Sequence, residues 1–372
     1  MKVVHIVEDL GTGGLEKVIA YIVLALDKKK YDVQVWCLAR GGQIADELID
    51  RGICVKILDM DSYYNPFSII KLAGLLKRNN VIILHTHGYF GSTFGRLGAI
   101  LARTPIVITH VHTTYYNFNR RNLFMERFLS LFTVRIICIS QAVERFVVDV
   151  EAISEKKTCL IYNGVDEFGL FKSDAGIEEN RKSLGFGKDD VVAITVASLT
   201  GHKGHRVIID AVRILSDKHE GLRCLIVGDG HLRRELKSYC MELGLSSKIA
   251  FTGQRKDIMS LLRIADLFVL ASTEREGLGI ALIEAEAARL PLIGTKVGGI
   301  PEVIVDNRNG LLVAPKDVHE LASAMERLIK DKALREKMGE AGRKMYEERF
   351  SAARMIKEIE LLYDRLTEKQ LG

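Results

Sequence analysis

The chain has no uninterrupted apolar run near the roughly 18–20 residues needed to cross a bilayer, so the sequence holds no helical membrane span. Its opening, MKVVHIVED, lacks the form of a signal peptide: the apolar stretch Val3–Val7 is short, and Glu8 and Asp9 follow at once. No C-x-x-C occurs, and no His spacing suits zinc. The six cysteines, Cys37, Cys54, Cys138, Cys159, Cys224 and Cys240, stand singly and mostly in strand-like contexts, which predicts reduced core thiols in a cytoplasmic protein. No Ser/His/Asp or Cys/His constellation for covalent catalysis can be assembled. Acidic residues are scarce in one stretch. Between Ser62 and Val148 there are ten Lys and Arg but only Glu126 and Glu144, a local net of +8 in a chain whose total is +5. Such a patch suggests an anionic partner, whether phosphate, a phosphorylated lipid or a membrane surface. Solvated helix faces are the plainer alternative.

What is present reads as globular. Hydrophobic residues make up 48% and charged ones 27%, and 372 residues suggest two domains of ordinary size. Strand candidates in the first half are Val3–Val7, Val33–Leu38, Cys54–Leu58, Val81–His85, Ile106–His110, Arg135–Ile139 and Thr158–Ile161, each separated by a helical pattern. The alternation breaks at Asn163–Lys188 and restarts with Val191–Val196, Cys224–Val227, Lys248–Phe251, Asp266–Ala271, Pro291–Gly294 and Leu311–Val313. Strand-helix alternation is the grammar of parallel sheets. The predicted fold class is therefore α/β, with two doubly wound Rossmann-like domains facing across a cleft: residues 1–165 and 166–350. A closing helix over 351–369 carries an apolar stripe (Ala352, Met355, Ile356, Ile359, Leu362, Tyr363, Leu366) and should pack back on the first domain. Open α/β sheets bind ligands at the carboxyl ends of their strands.

Several segments at such ends carry chemistry. Glu276–Glu284 reads E-G-L-G-I-A-L-I-E, two carboxylates eight positions apart at a strand-to-helix junction. Gly277 and Gly279 fall where helical N–H groups lack intrahelical acceptors, a natural anion site. The first loop, D-L-G-T-G-G-L-E (Asp9–Glu16), opens like a phosphate loop. However, Glu16 stands where a third Gly belongs in G-x-G-x-x-G, and the second strand ends at Leu38–Ala39–Arg40 without an acidic ribose ligand. A nicotinamide oxidoreductase is thereby disfavoured. In V-A-S-L-T-G-H-K-G-H (Val196–His205), Lys203 and Gly204 open a helix, and a cation there opposes the helix dipole unless an anion is near. His110 and His112 alternate onto one face of a strand, with satisfied core histidines as the alternative reading. Asp59-Met60-Asp61 spells D-x-D, a weak metal signal because paired acids at strand ends are common.

Together with Y-N-G-V-D (Tyr162–Asp166), L-I-V-G-D-G (Leu225–Gly230), F-T-G (Phe251–Gly253) and V-G-G-I-P-E-V-I-V-D-N-R-N-G-L-L-V (Val297–Val313), these motifs make the chain resemble, nearly end to end, a retaining glycosyltransferase of the GT-B fold. That large family includes bacterial mannosyl-, glucosyl- and N-acetylglucosaminyltransferases and sucrose-phosphate synthases. The resemblance implies that Glu276 holds a hydroxyl of the donor sugar and Glu284 the ribose hydroxyls. The Gly277 loop and the amides of Leu278, Gly279 and Ile280, with Gly13 and Gly14, would meet the diphosphate, and Lys203 would neutralise it. His112 would sit by the reacting sugar, and Gly253–Asp257, including Arg255, would line the base. Many relatives carry Arg where this chain has Ser198, so diphosphate stabilisation would rest more heavily on Lys203, or on His202, His205 or Arg206.

No metal or other cofactor is expected. The implied donor is a UDP- or GDP-linked sugar, the chemistry retention of anomeric configuration, and Glu276 a positioning group rather than a covalent nucleophile. The two domains would close about Tyr162–Asp166. Interleaved aromatics and cations (Tyr115-Tyr116-Asn117-Phe118-Asn119-Arg120-Arg121 and Leu123–Leu129) suggest a lipid-linked acceptor of polysaccharide synthesis and an anionic membrane surface, reached from the cytoplasm. Nucleic acid is not an expected partner. A sugar-nucleotide epimerase or hydrolase on the same fold, or transfer to a small soluble acceptor, would fit the same motifs.

Overall fold

The computed structural model describes residues 1–60, 65–115, 118–166 and 181–371. The chain divides into two compact units, Met1–Gly164 with Ala352–Gly372, and Val165–Ser351. Of the sequence features above, Asp61, Tyr116, Asn117 and most of the 163–188 break lie outside the described residues.

The first unit is built on a seven-stranded sheet of order β3-β2-β1-β4-β5-β6-β7. Its strands are β1 (Lys2–Val7), β2 (Asp32–Cys37), β3 (Cys54–Ile57), β4 (Ile83–His87), β5 (Ile106–Val111), β6 (Arg135–Cys138) and β7 (Thr158–Leu160). Every pairing is parallel. Six of the seven strands fall within one residue of their expected bounds. The exception is β4, which runs two residues later than the hydropathy suggests. Asn80 takes φ 51°, and the amide of Val81 donates to the Leu76 carbonyl, so this segment closes the preceding Pro66–Arg78 helix before the strand begins. That delay draws His87 into the sheet beside His85. Cys54, on edge strand β3, is exposed, unlike the core thiol expected of it.

The closing helix, Ala352–Leu371, belongs to the first unit. Met355, Ile359 and Tyr363 are fully buried, each stabilising the fold by about 1.5–3 kcal/mol relative to exposure. Asp364 fixes its register, accepting hydrogen bonds from Lys30 Nζ (2.6 Å) and Tyr31 Oη (2.7 Å). The Lys30 bond, and then the Tyr31 bond, hold the Asp364 carboxyl below its ordinary value.

The second unit carries a six-stranded parallel sheet of order β10-β9-β8-β11-β12-β13. The strands are β8 (Val191–Val196), β9 (Leu222–Val227), β10 (Ile249–Gly253), β11 (Leu267–Leu270), β12 (Leu292–Thr295) and β13 (Gly310–Val313). In both sheets the strand order reverses next to the first strand, between β1 and β4 and between β8 and β11. A reversal splays the connections apart and leaves a crevice at the carboxyl ends of the two central strands, where open α/β sheets take their ligands.

Candidate active site

The loops after β8 and β11 meet at the second sheet's reversal point. Lys203 Nζ donates to Glu276 Oε2 at 2.7 Å, and Ser272 Oγ donates to the same oxygen at 2.8 Å. Both charged side chains are largely buried, 19% and 10% exposed. The sequence places each of these charges singly; the fold pairs them. A buried ion pair that shares its acceptor with a hydroxyl keeps both charges satisfied until a ligand with an anionic group and a free hydroxyl can replace each partner for the other.

Glycines make this approach possible. Lys203 ends a short 3-10 turn, Gly201–Lys203, and Gly204 then takes φ 68° before the His205–Ser216 helix. A Cβ on Gly204 would stand 1.9 Å from the Ala271 carbonyl oxygen, at the end of β11. One further bond ties the two loops, from the amide of Thr273 to the His202 carbonyl (2.8 Å). On the other side, Gly298 takes φ 53° and a Cβ there would lie 2.0 Å from the Glu276 carbonyl oxygen, while the Gly299 amide donates to that carbonyl at 2.9 Å. The Gly-Gly of V-G-G-I-P-E thus lets one loop press against the loop that carries Glu276.

The helix after Glu276 spans Ile280–Ala287 and is capped by Gly279 at φ 87°. Its leading amides, including those of Leu278, Gly279 and Ile280, precede the first intrahelical bonds and present partial positive charge. Glu276 itself lies ahead of the helix, in the loop; Glu284 lies within it and is 5% exposed. Their relation is therefore set by the loop, and the helical rotation of about 100° per residue does not govern it.

Gly253 ends β10 with φ 72° and packs on the Arg233 guanidinium. Arg255 is held by a two-pronged bond to Asp257 (2.7 and 2.6 Å). Ser198 is exposed, and His202, His205 and Arg206, which could compensate for it, make other contacts. His205 is buried, donates to the Ser198 carbonyl (3.0 Å), and is pushed below its ordinary pKa by burial. His202 is lowered too, by burial and then by Lys203. Arg206 stacks 4.0 Å over the Tyr239 ring.

In the first unit, Gly13 caps the Gly14–Ala25 helix after β1, and both glycines are exposed. Beside them the reversal point holds a group of histidines. His5 is in register with His85, and His87 with His110, so with His112 five imidazoles share one sheet face. They form a stacked array: ring centroids lie 4.4 Å apart for His85 and His87, and 4.2 Å apart for His110 and His112. His5, His85 and His87 are fully buried and His110 nearly so, while His112 is partly exposed. Burial pushes His5 and His112 down to about 3 and holds the other three well below the usual imidazole range.

Comparison with known proteins gives this architecture its place. Residues 12–167 match the family model "Glycosyltransferase Family 4" and residues 176–345 match "Glycosyl transferases group 1". A putative glycosyltransferase, EpsD, of Bacillus subtilis (strain 168) is 30% identical over 346 residues, 88% of each chain. The chain belongs to the group 1 glycosyltransferases. A UDP-Gal:alpha-D-GlcNAc-diphosphoundecaprenol alpha-1,3-galactosyltransferase of Escherichia coli is 27% identical across 90% of this chain and 89% of its own. The fold matches that of Anabaena HepE, solved with UDP and glucose, at a TM-score of 0.89 and 23% identity over 98% of this chain and all of that one. These matches support the GT-B architecture of two parallel-sheet α/β units.

Sequence reading of this glycosyltransferase missed three of the five histidines. The signal was present in H-T-H (His85–His87) and H-V-H (His110–His112), but only the strand order places His5 beside them. It also missed two buried acidic centres. Glu286 is fully buried and accepts from Asn309 Nδ2 at 2.6 Å, and burial raises its carboxyl well above the usual range. Arg96, counted above as a surface cation, is 1% exposed and paired with Glu126 at 2.5 Å. Nearby Glu151 is raised to about 8, by burial and then by Glu126.

Proposed function

We propose that this chain is a retaining glycosyltransferase that moves a hexose or N-acetylhexosamine from a UDP-linked sugar to a hydroxyl of a lipid-linked glycan intermediate. The observation that carries the reading is the Lys203–Glu276–Ser272 cluster beside the Gly279 cap. On donor binding, Lys203 turns from Glu276 to the diphosphate, and Glu276 takes a hydroxyl of the sugar. The bond from the anomeric carbon to the phosphate oxygen breaks, and negative charge grows on the leaving group where the helix amides and Lys203 stabilise it. The acceptor oxygen bonds the same face of that carbon, and its proton passes to the departing diphosphate. Glu284 holds the ribose, the Gly253–Asp257 loop with Arg255 lines the base, and Gly13 and Gly14 meet the phosphates. His112 stands by the transferred sugar. No metal takes part in the proposed reaction. With Arg206, His202 and His205 engaged elsewhere, Lys203 carries the cationic role that an Arg at position 198 would share. The choice of UDP over GDP is supported by the donor named for the Escherichia coli relative.

Proton NMR of the product tests this reading. A UDP-α-sugar with a polyprenyl-diphosphate glycan should give an α-linked product and UDP. A β-linkage would exclude retention, and release or epimerisation of the sugar without acceptor would favour the hydrolase or epimerase reading.

The acceptor assignment extends to a peripheral position on the inner face of the membrane. On the Arg120–Ser130 helix Phe124 is 70% exposed and Phe128 41%, and Leu131 (70%) and Phe132 (46%) follow. Arg120 and Arg121 are exposed beside them. Removing the internal Arg96–Glu126 pair from the 62–148 count leaves nine cations and one acid, still +8. Each Lys or Arg near an anionic bilayer contributes about 1 kcal/mol, and an exposed aromatic face inserts alongside. We expect the protein to co-sediment with anionic but not neutral liposomes, less so in high salt, and not at all with Arg120→Glu and Arg121→Glu together. Equal recovery in the supernatant with both lipids would exclude this surface.

A further inference from the structure

The five histidines at the first unit's reversal point include a continuous line of ring-to-ring contacts that none of the assigned roles uses. His112 Nε2 lies 3.2 Å from His87 Nδ1, and His87 Nε2 lies 2.9 Å from His5 Nδ1. His5 Nε2 lies 3.5 Å from the hydroxyl of Tyr363, and that hydroxyl lies 2.6 Å from His85 Nδ1. The line runs from the buried Tyr363 on the closing helix to His112, a partly exposed residue whose Nδ1 is itself buried and has no partner among the described residues.

A shared metal ion is one chemistry that gathered imidazoles can serve, and His87, His110 and His112 have ring nitrogens within 4.8 Å of one another. The rings argue against it. An imidazole binds a metal in its own plane, and His110 and His112 are stacked at 4.2 Å with only 28° between their planes. Stacked rings cannot both aim a lone pair at one ion without turning out of the array.

Hydrogen bonding fits the geometry as it stands. A neutral imidazole carries one proton on either nitrogen, so each ring in a line donates at one end and accepts at the other. Once one end is fixed, every tautomer follows. The hydroxyl has one proton and two imidazole neighbours, and a phenol O–H donates to an imidazole nitrogen more strongly than a neutral imidazole N–H donates to a phenol oxygen, so the shorter contact, 2.6 Å against 3.5 Å, takes that proton and the Tyr363 hydroxyl donates to His85 Nδ1. Its lone pair then faces His5, which must carry its proton on Nε2. His5 Nδ1 accepts from His87 Nε2, and His87 Nδ1 accepts from His112 Nε2. His112 Nδ1 is left bare. The same polarity leaves His85 with a proton on Nε2, the nitrogen of that ring found without a partner.

We propose that Tyr363 is a positioning residue which, through His5 and His87, fixes the tautomer of His112 so that its Nδ1 is a hydrogen-bond acceptor. The consequence for turnover rests on the placement of His112 by the transferred sugar: Nδ1 is itself buried, so a sugar hydroxyl that reaches it meets little competition from water, and a bare Nδ1 accepts from that hydroxyl, whereas the other tautomer would meet it as a donor. A histidine ring is oriented and its tautomer chosen by the bond its far nitrogen makes. Here the choice is made three residues away, on the closing helix.

The test is ¹⁵N NMR of the full chain labelled at histidine, since ring nitrogens with and without a proton differ widely in shift. In the native protein, His112 should carry its proton on Nε2. Tyr363→Phe keeps the ring and removes the hydroxyl that sets the polarity; His5→Phe cuts the line one link closer. Either should move the His112 signals toward an average of the two tautomers. In the same variants, kcat should fall about tenfold, with KM for the nucleotide-sugar changed by less than about twofold. Emission from the buried Trp36 checks that each variant is folded. A native His112 protonated on Nδ1, or a tautomer that both folded variants leave unmoved, overturns the proposal. A shifted tautomer with unchanged kcat upholds the relay and removes His112 from the transferred sugar.

Discussion

Lys203→Ala is expected to lower kcat by about 10²–10³-fold while the second unit stays folded. The size follows from removing one cation aimed at the charge of a departing diphosphate, which costs roughly 2–4 kcal/mol of barrier. The loss should sit at the upper end because Ser198 supplies no second cation and Arg206 is held over Tyr239. Glu276→Ala removes the other half of the pair and should cost a comparable factor. Because the two side chains bond each other at 2.7 Å, their effects should not add: neighbours in one network couple by about 0.5–3 kcal/mol. A double variant no worse than the slower single one is the expected pattern. Less than a fivefold drop in turnover for either folded single variant would end the assignment of this pair.

The histidine array makes a second large prediction, on stability. Above about pH 6.5 the five imidazoles are neutral whether the chain is folded or not. Below it the unfolded chain takes up five protons, whereas the fold refuses them, His5 and His112 down to about 3 and the others well below their ordinary value. Stability is lost wherever the unfolded state binds more protons, so these groups destabilise the first unit as pH falls. Glu151 acts in the opposite sense. Raised to about 8, it is protonated in the fold and ionised in the unfolded chain between the ordinary 4.5 and 8, so it destabilises as pH rises across that range.

Below 6.5 the five imidazoles are opposed by the raised carboxyls of this unit, Glu151, Glu16 and Glu358, a net of two to four protons, or roughly 3–5 kcal/mol per pH unit at 1.36 kcal/mol each. Between 6.5 and 8 the Glu151 slope runs in the other direction, about 1.4 kcal/mol per unit. The first unit should therefore be most stable near pH 6.5 and fall away steeply on the acid side. Trp36 is the chain's single tryptophan and is fully buried in β2, so denaturant titrations followed by its emission report this unit. A stability that is flat from pH 8 to pH 5 would contradict the neutral, buried array.

Much of this was legible in the residues. Strand-helix alternation located thirteen strands in chain order, because strands buried in parallel sheets read as short apolar runs between turn signals. The glycine loops and the two charges at 203 and 276 marked the second site. What the sequence could not convey was pairing. Lys203 and Glu276 are 73 positions apart and meet only because β8 and β11 are neighbours across the strand-order reversal. His5 reaches His85 in the same way, through β1 and β4. Charge was misread for a similar reason: Arg96 looks like a surface cation until the fold sets it against Glu126, 30 residues on. The aromatic question ran the other way. Nothing in L-F-M-E-R-F-L distinguishes a core stripe from a surface one, and the fold buries Leu129 while exposing Phe124 and Phe128.

Thermal unfolding against UDP-, GDP- and ADP-sugars tests the central claim most directly, with Lys203→Ala as the comparison. A ligand that binds only the native state stabilises by about 2.7 kcal/mol at 100 times its Kd. The account predicts a raised Tm with a UDP-sugar, little change with the GDP or ADP counterparts, and a smaller rise for Lys203→Ala at the same concentration. No stabilisation by any nucleotide-sugar, or an equal rise with and without Lys203, would contradict it.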